Sequence, residues 1–149
     1  MKKIIRTTYN PKLINWALLF IRLCIGAFML VHGWPKLMKL CSNQEIDFAD
    51  PIGIGVRMSL LLTVFAEVIC SVLLMIGLAT RLAVIPLIIT MLVAALIVHA
   101  GDPFNKVELS LHYLLIYALL LITGSGKYSI DQWLHTRAEN KQKQASSHA

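Results

Sequence analysis

Two ionisable residues lie inside apolar stretches of this sequence, where a charge is costly and rarely occurs without a partner or a pathway to serve. Arg22 lies in the middle of LLFIRLCIGAFMLVHGWPKL, and Glu67 lies in the middle of VRMSLLLTVFAEVICSVLLMIGL. The sequence predicts an ion pair between them, because the helix rise puts both about 15 Å below the same face. Such a pair fixes helix register, or it serves a ligand: Arg22 polarises a carbonyl or phosphate while Glu67 holds the ligand or exchanges protons.

Further polar residues accompany Glu67 along its segment. Ser59, Thr63, Glu67 and Ser71 recur at four-residue spacing, which puts them on one face of a helix. On an otherwise apolar helix, this polar stripe is predicted to face the interior of a helix bundle.

A second set of ionisable residues lies where the apolar segments end. His32 and Lys36 follow the first segment, His99 ends the third, and Glu108 and His112 open the fourth at i and i+4. We expect these residues to meet at one mouth of the bundle. Two alternatives stay open for His32 and His112, proton relay or hydrogen-bonded anchoring, whereas His99 is predicted to be an anchor. No metal site is predicted, because the tight HxxH and HExxH spacings are absent.

Two tyrosines lie one helical turn apart in the last apolar segment. Tyr113 and Tyr117 form an aromatic face that either packs in the core or suits the ring of a quinone, and Tyr113 is the candidate ligand contact.

The composition says which elements position these residues. The chain has 149 residues, of which 57% are hydrophobic and 15% are charged, against roughly 25% charged in soluble domains. A hydrocarbon core about 30 Å thick needs about 20 apolar helical residues per crossing. We therefore predict an all-α transmembrane four-helix bundle over residues 13–131, with helices at about 13–33, 56–78, 82–100 and 108–123. Residues 1–12 form a basic N-terminus, and residues 132–149 form a short surface helix followed by a disordered tail.

The basic residues also predict the orientation of the bundle. Those beside one end of the crossings outnumber those beside the other, which by the positive-inside rule puts both termini in the cytoplasm. The basic residues flank apolar segments and form no patch with interleaved aromatics, so nucleic acid is not an expected partner.

Several separated motifs resemble one family. They are Arg22 to Phe28, His32-Gly-Trp-Pro-Lys-Leu37, Asp50-Pro-Ile-Gly-Ile-Gly55, Glu67, Gly77 to Arg81, Glu108 with His112, and Gly124 to Asp131. In this order, over about Leu13 to Asp131, they resemble the DoxX family of small bacterial membrane proteins. The resemblance implies a four-helix bundle in the bacterial cytoplasmic (inner) membrane.

The resemblance also suggests a redox role. Some family members are membrane subunits of a thiosulfate:quinone oxidoreductase, and others are membrane anchors of oxidoreductase complexes that handle thiols and oxidative stress. The family's recurrent positions fall here on Arg22, His32, Gly33, Lys36 and Glu67, without a catalytic assignment. The first hypothesis is therefore a membrane subunit of a redox system that binds a quinone or a thiol-type molecule between its helices.

Two alternatives come with that hypothesis. One is a non-enzymatic anchor or scaffold for a soluble oxidoreductase, and the other is a small permease. A permease built from four helices would need to form a homo-oligomer, and the sequence shows no inverted repeat of the kind that transporters often have.

Overall fold

The computed structural model of the chain describes residues 10–42 and 46–147, and this part of the chain is helical, without strands. Four helices are long and apolar enough to cross a membrane: α1 at Pro11–Cys41, α2 at Val56–Ile76, α3 at Thr80–Val98 and α4 at Phe104–Thr123. A fifth helix, α5, is polar and covers Ile130–Ser147. The predicted all-α bundle with four membrane-length helices is confirmed. Most of the predicted basic N-terminus, residues 1–9, lies outside the described residues, as do 43–45 and 148–149.

The first helix is longer than the sequence predicted. Asn10 caps its start by accepting hydrogen bonds from the backbone of Lys12 and Leu13. The predicted end at Gly33 is not observed, because α1 continues through Pro35 for two further turns. A proline inside a helix removes one backbone hydrogen bond and crowds the carbonyl of residue i−4, at a cost of about 3 kcal/mol. Leu37 and Leu40 beyond it pack against a buried cluster on α2 formed by Leu60, Val64 and Val68. That packing explains why the helix continues.

Helices α1 and α2 run antiparallel, and glycines bring their backbones close together. A methyl group built on Gly26 would lie 2.4 Å from Met75, and one on Gly33 would lie 2.9 Å from Glu67 Cβ and from Val68. Beyond the C-terminal end of α2, Gly77 packs equally closely against the Arg22 guanidinium. These contacts set the register of the two helices, with residue 33 opposite 67 and residue 22 opposite 77.

Two stretches of π-helix interrupt the regular helices. One covers Phe65–Cys70 in α2, and the other covers Ala94–Val98 at the end of α3. Single-turn π-helical stretches inside α-helices frequently occur at functional sites. Most of the core is apolar: Leu74, Val84, Leu87, Tyr117 and Leu120 have no exposed surface.

The polar fifth helix differs from the prediction. A disordered tail was expected from Thr136, but the described chain stays helical to Ser147. Ser129 accepts a hydrogen bond from the backbone of Gln132 and thereby caps the start of α5. Within the helix Arg137 lies 3.9 Å from the Trp133 ring and His135 lies 3.7 Å from Glu139. Such i, i+4 pairs stabilise a solvated helix without a buried face.

Candidate functional site

The buried carboxylate of Glu67 pairs with a lysine of α1. Lys36 Nζ lies 2.5 Å from Glu67 Oε1, and the side chains of the two residues are 31% and 3% exposed. The second oxygen, Glu67 Oε2, is buried and has no hydrogen-bonding partner among the described residues. A carboxylate with one oxygen paired and one unsatisfied is a group that could accept a further hydrogen bond from a ligand.

The predicted pair between Arg22 and Glu67 is wrong. Arg22 is fully buried, but its two terminal nitrogens donate to backbone carbonyls, one to Ser125 at 2.5 Å and the other to Tyr128 at 2.6 Å. Arg22 therefore joins α1 to the segment between α4 and α5, at the end of the bundle opposite to Lys36.

The error came from the assumed length of α1. The sequence placed the end of α1, and with it the mouth of the bundle, near His32, so Arg22 was expected at the depth of Glu67. The helix in fact reaches Cys41, and the mouth lies two turns further on. Lys36 is 14 residues from Arg22, which is about 21 Å along a helix. Glu67 thus meets the lysine that the sequence had assigned to the mouth.

An apolar cavity of about 330 Å³ lies on one side of the Lys36–Glu67 pair. Besides this pair, its polar wall residues are Ser59, Thr63, Thr90 and His99. The remaining wall comes from α2, α3 and the loop before α2, including Leu62, Ile89, Val93, Phe48 and Ile54. Leu62 and Ile89 are also half exposed on the outer surface of the bundle. The cavity therefore lies next to the surface that faces lipid.

A smaller cavity of about 150 Å³ lies on the other side of the same pair. Its wall combines Lys36, Glu67 and His99 with His32, Ser110 and Tyr113. Tyr113 is buried, and its ring makes an edge-to-face contact with the ring of His32 at 6.0 Å. The pair of Lys36 and Glu67 thus belongs to the walls of both an apolar cavity and a more polar one.

The structure brings together only some of the predicted site residues. His32, Lys36, Glu67 and Tyr113 meet around the two cavities. Glu108 and His112 do not join them, because both are exposed on the outer face of α4, where His112 Nδ1 lies 2.8 Å from the Glu108 carbonyl oxygen. Of the predicted polar stripe, Ser59, Glu67 and Ser71 are buried and Thr63 is half-buried.

His99 was expected at the mouth as a hydrogen-bonded anchor, and sequence reasoning missed only that it also lines both cavities. His99 lines both cavities, and its Nδ1 lies 2.8 Å from Asp102 Oδ2. Asp102 also contacts Lys106 at 3.3 Å. The hydrogen bond from His99 holds the pKa of Asp102 below its ordinary value. An aspartate three residues after a histidine at a helix end was the available signal, and it was not used.

The loop at 46–55 closes the apolar cavity. Asp50 accepts hydrogen bonds from the Ser59 hydroxyl at 2.7 Å and from the backbone of Ile54 and Gly55, and Lys39 donates to the Asp47 carbonyl. The hydrogen bond from Ser59, followed by those from the backbone of Gly55 and Ile54, lowers the pKa of Asp50. Phe48 lies with its ring centre 6.0 Å from Lys36 Nζ. The loop therefore forms part of the wall beside the ion pair.

The arrangement is suited to binding a molecule with an apolar body and a polar end. The ammonium of Lys36 is a donor, the free oxygen of Glu67 is an acceptor, and the walls of the larger cavity are apolar. Within the described residues no group of three or more His, Cys, Asp or Glu side chains is placed to hold a metal ion.

Comparison with known proteins gave one match. The family model DoxX matches residues 17–100, which include Arg22, the Lys36–Glu67 pair and His99. Neither the curated proteins nor the solved structures contain a match to this chain.

Proposed function

The chain belongs to the DoxX family, and on this basis we propose that it is the membrane subunit of a redox system that binds a quinone-class molecule beside the Lys36–Glu67 pair. A thiol or sulfur compound with a comparable polar end is the alternative ligand at the same site. The four apolar helices of membrane length, and the family, make the chain a membrane protein.

The unsatisfied oxygen of Glu67 carries the proposal. A buried polar atom without a partner is costly, so such an atom between two cavities favours a ligand that supplies the missing hydrogen bond. Lys36 would donate to a ring oxygen of the ligand, and Glu67 Oε2 would accept from a ligand hydroxyl. The apolar body would lie in the 330 Å³ cavity, whose volume falls in the range of small-molecule sites.

The chain itself would supply binding and proton handling. A quinone, when bound, supplies the capacity to accept and return electrons. Glu67 can hold a proton at Oε2 next to the polar cavity, where His32 and His99 connect the interior to the surface. The electron donor would then be a soluble oxidoreductase partner.

We propose that the protein resides in the bacterial cytoplasmic membrane with both termini in the cytoplasm. The start of α1 and the end of α4 lie at the same end of the bundle, because Asn15 accepts a hydrogen bond from the backbone of Lys127 at 2.8 Å. That end carries Lys12, Arg81, Lys127 and the basic residues of α5. A reporter fused after α5, active only in the cytoplasm, tests the orientation.

Binding is tested by native mass spectrometry of the protein gently extracted from its membrane, followed by anaerobic titration in lipid nanodiscs with a decyl-substituted benzoquinol, the reduced form that carries the hydroxyl donor. The informative variant is Glu67→Gln, which keeps the side-chain shape and removes the charge. Glu108→Gln is its matched control, because Glu108 is exposed and lines neither cavity.

We expect wild type and Glu108→Gln to retain the quinol and Glu67→Gln to bind it about tenfold more weakly, because the hydrogen bond from the quinol hydroxyl to the carboxylate is charge-assisted. Equal binding by all three proteins, each folded and equally abundant, would exclude Glu67 from the site. A retained thiol or sulfur compound in place of a quinone would assign the same cavity to that ligand class.

The second candidate, an anchor for a soluble oxidoreductase, is favoured by α5. Every described side chain from Gln132 to Gln144 is exposed, so the helix presents its whole surface to a partner. An oxidoreductase that copurifies with wild type and with Glu67→Gln, but not with Trp133→Ala, would support the anchor role without a ligand site.

A further inference from the structure

A larger cavity, of about 610 Å³, lies at the end of the bundle remote from Lys36 and Glu67. It is bounded by Asn15 of α1, the first turn of α3, residues 123–127 after α4, and the first turn of α5. Asn15 and Lys36 are 21 residues apart on one helix, which corresponds to about 30 Å. This end cavity is therefore independent of the proposed quinone site.

Two cations in the wall of the end cavity lack an acidic partner. Arg81 uses one terminal nitrogen to donate to the Ile122 carbonyl at 3.2 Å. In the described part of the chain, neither Arg81 nor Lys127 forms an ion pair. The backbone of Lys127 is held by Asn15, so the residue stays at the rim of the cavity while its side chain is exposed.

The one acidic residue of this wall is already engaged. The two carboxylate oxygens of Asp131 accept hydrogen bonds from the backbone of Ala79 at 2.7 Å and of Thr80 at 3.1 Å. Asp131 thereby caps the start of α3. It leaves the positive charges of Arg81 and Lys127 available to an anion from outside the chain.

One further feature indicates a built site. Thr80, in the same wall, is 1% exposed, and its hydroxyl has no hydrogen-bonding partner among the described residues. Gly124 has φ +74°, and a methyl group on it would lie 3.5 Å from Arg81 Nε. That distance is an ordinary van der Waals contact, so Gly124 is required here by its positive φ and not by the space beside Arg81.

We propose that the end cavity binds a phosphate group, supplied by the headgroup of an anionic phospholipid. Arg81 and Lys127 neutralise its charge, and the Thr80 hydroxyl donates to one of its oxygens. Leu82 and Ile122, adjacent to Arg81, are 70% and 76% exposed and offer an apolar surface for the acyl chains. Anionic lipids accumulate in the cytoplasmic leaflet, on the side to which the basic residues assign this end of the bundle.

The test is a titration of the purified full-length chain in detergent with phosphatidylglycerol, followed by native mass spectrometry, with phosphatidylcholine of the same acyl chains for comparison. Arg81→Gln with Lys127→Gln removes both cations. Each basic group near a membrane surface contributes about fivefold to the binding of anionic lipid, so the double variant should bind about thirtyfold more weakly.

Two further variants keep the result interpretable if the double variant is unstable. Thr80→Val removes only a hydroxyl that has no partner, so it should weaken phosphatidylglycerol binding about tenfold and leave thermal stability unchanged. Arg137→Gln with Lys141→Gln, on the exposed face of α5, removes the same charge away from the cavity and should change the affinity by less than about threefold.

One saturable phosphatidylglycerol, lost with Arg81 and Lys127 and weakened in Thr80→Val, supports the proposal. The same affinity for both lipids overturns it, as does an equal loss in the α5 control. Inorganic phosphate at millimolar concentration distinguishes a lipid phosphate from a soluble one. If phosphate binds in a way that requires Arg81 and Lys127, and no saturable lipid binding is found, the lipid assignment is overturned and the ligand is a soluble phosphate.

Discussion

Glu67 should be energetically coupled to Lys36 and not to Arg22, and two double-mutant cycles can measure this directly. Lys36→Gln leaves a carboxylate that is 2% exposed without its cation. Breaking a buried ion pair from one side costs about 3–5 kcal/mol, and we expect the lower end because the Lys36 side chain is 31% exposed. Glu67→Gln should cost about 1 kcal/mol, since its amide oxygen can still accept from Lys36.

The double variant should cost less than the sum of the two single variants, because it no longer contains an unpaired buried charge. We expect a coupling free energy of about 2 kcal/mol for Lys36 with Glu67. Arg22→Gln should cost about 3–6 kcal/mol through its two lost hydrogen bonds to carbonyls. Its effect should add to that of Glu67→Gln within about 0.5 kcal/mol, because the two sites share no partner.

The assay is reversible unfolding of the purified protein in mixed micelles, with the free energy of unfolding extrapolated to the same reference composition for every variant. Coupling above about 1 kcal/mol between Arg22 and Glu67, or none between Lys36 and Glu67, would contradict the antiparallel register of α1 and α2 described above. Normal far-UV circular dichroism of each variant is the control for retained helical structure.

Three further predictions test the packing and the caps. Gly33→Ala puts a methyl group 2.9 Å from Glu67 Cβ and should lower the free energy of unfolding by about 1–3 kcal/mol. Its control, Gly101→Ala, has nothing within 4 Å of the added methyl group and should change that free energy by less than about 0.5 kcal/mol. Similar losses in the two variants would refute the close contact at Gly33. Asp50 has a folded pKa below its ordinary value of 3.8, chiefly because of the hydrogen bond from Ser59. Its ionised carboxylate therefore stabilises the loop fully above pH 3.8, and this stabilisation is lost as the pH falls through the folded pKa. A carboxyl NMR titration of Asp50 at or above its ordinary value would contradict this, and Ser59→Ala should raise the measured pKa. Asp131→Ala removes two hydrogen bonds to the start of α3 and should lower the free energy of unfolding by about 0.5–2 kcal/mol, with Asp131→Asn losing less; an unchanged thermal unfolding curve for both would exclude the cap.

Glu67 shows which part of a site the sequence can predict and which part it cannot. A glutamate within an apolar segment, on one face with Ser59 and Ser71, had to point inwards, because lipid offers no hydrogen bond to a polar side chain. The inference that the site lies between the helices needed no coordinates. The identity of the partner needed the register of α1 against α2, which depends on where Gly26 and Gly33 allow the backbones to approach.

His99 and the loop at 46–55 show what local patterns omit. Its position at the end of α3 placed His99 at the mouth, but its part in both cavity walls depends on how α3 packs against α1 and α2. The loop becomes a cavity wall because Asp50 binds Ser59 and Phe48 lies over Lys36. These are contacts between residues distant in sequence or in different elements, and no periodicity within one segment encodes them.

The sequence by itself determined the four apolar helices, the family and the burial of Arg22 and Glu67, because hydropathy and helical spacing act within single segments. Only the tertiary structure decided that α1 continues through Pro35, that Glu67 pairs with Lys36, and that Arg22 holds the opposite end of the bundle. The physical reason is that pairing depends on helix length and register, and both are set by packing between different helices, which no pattern within a single segment encodes.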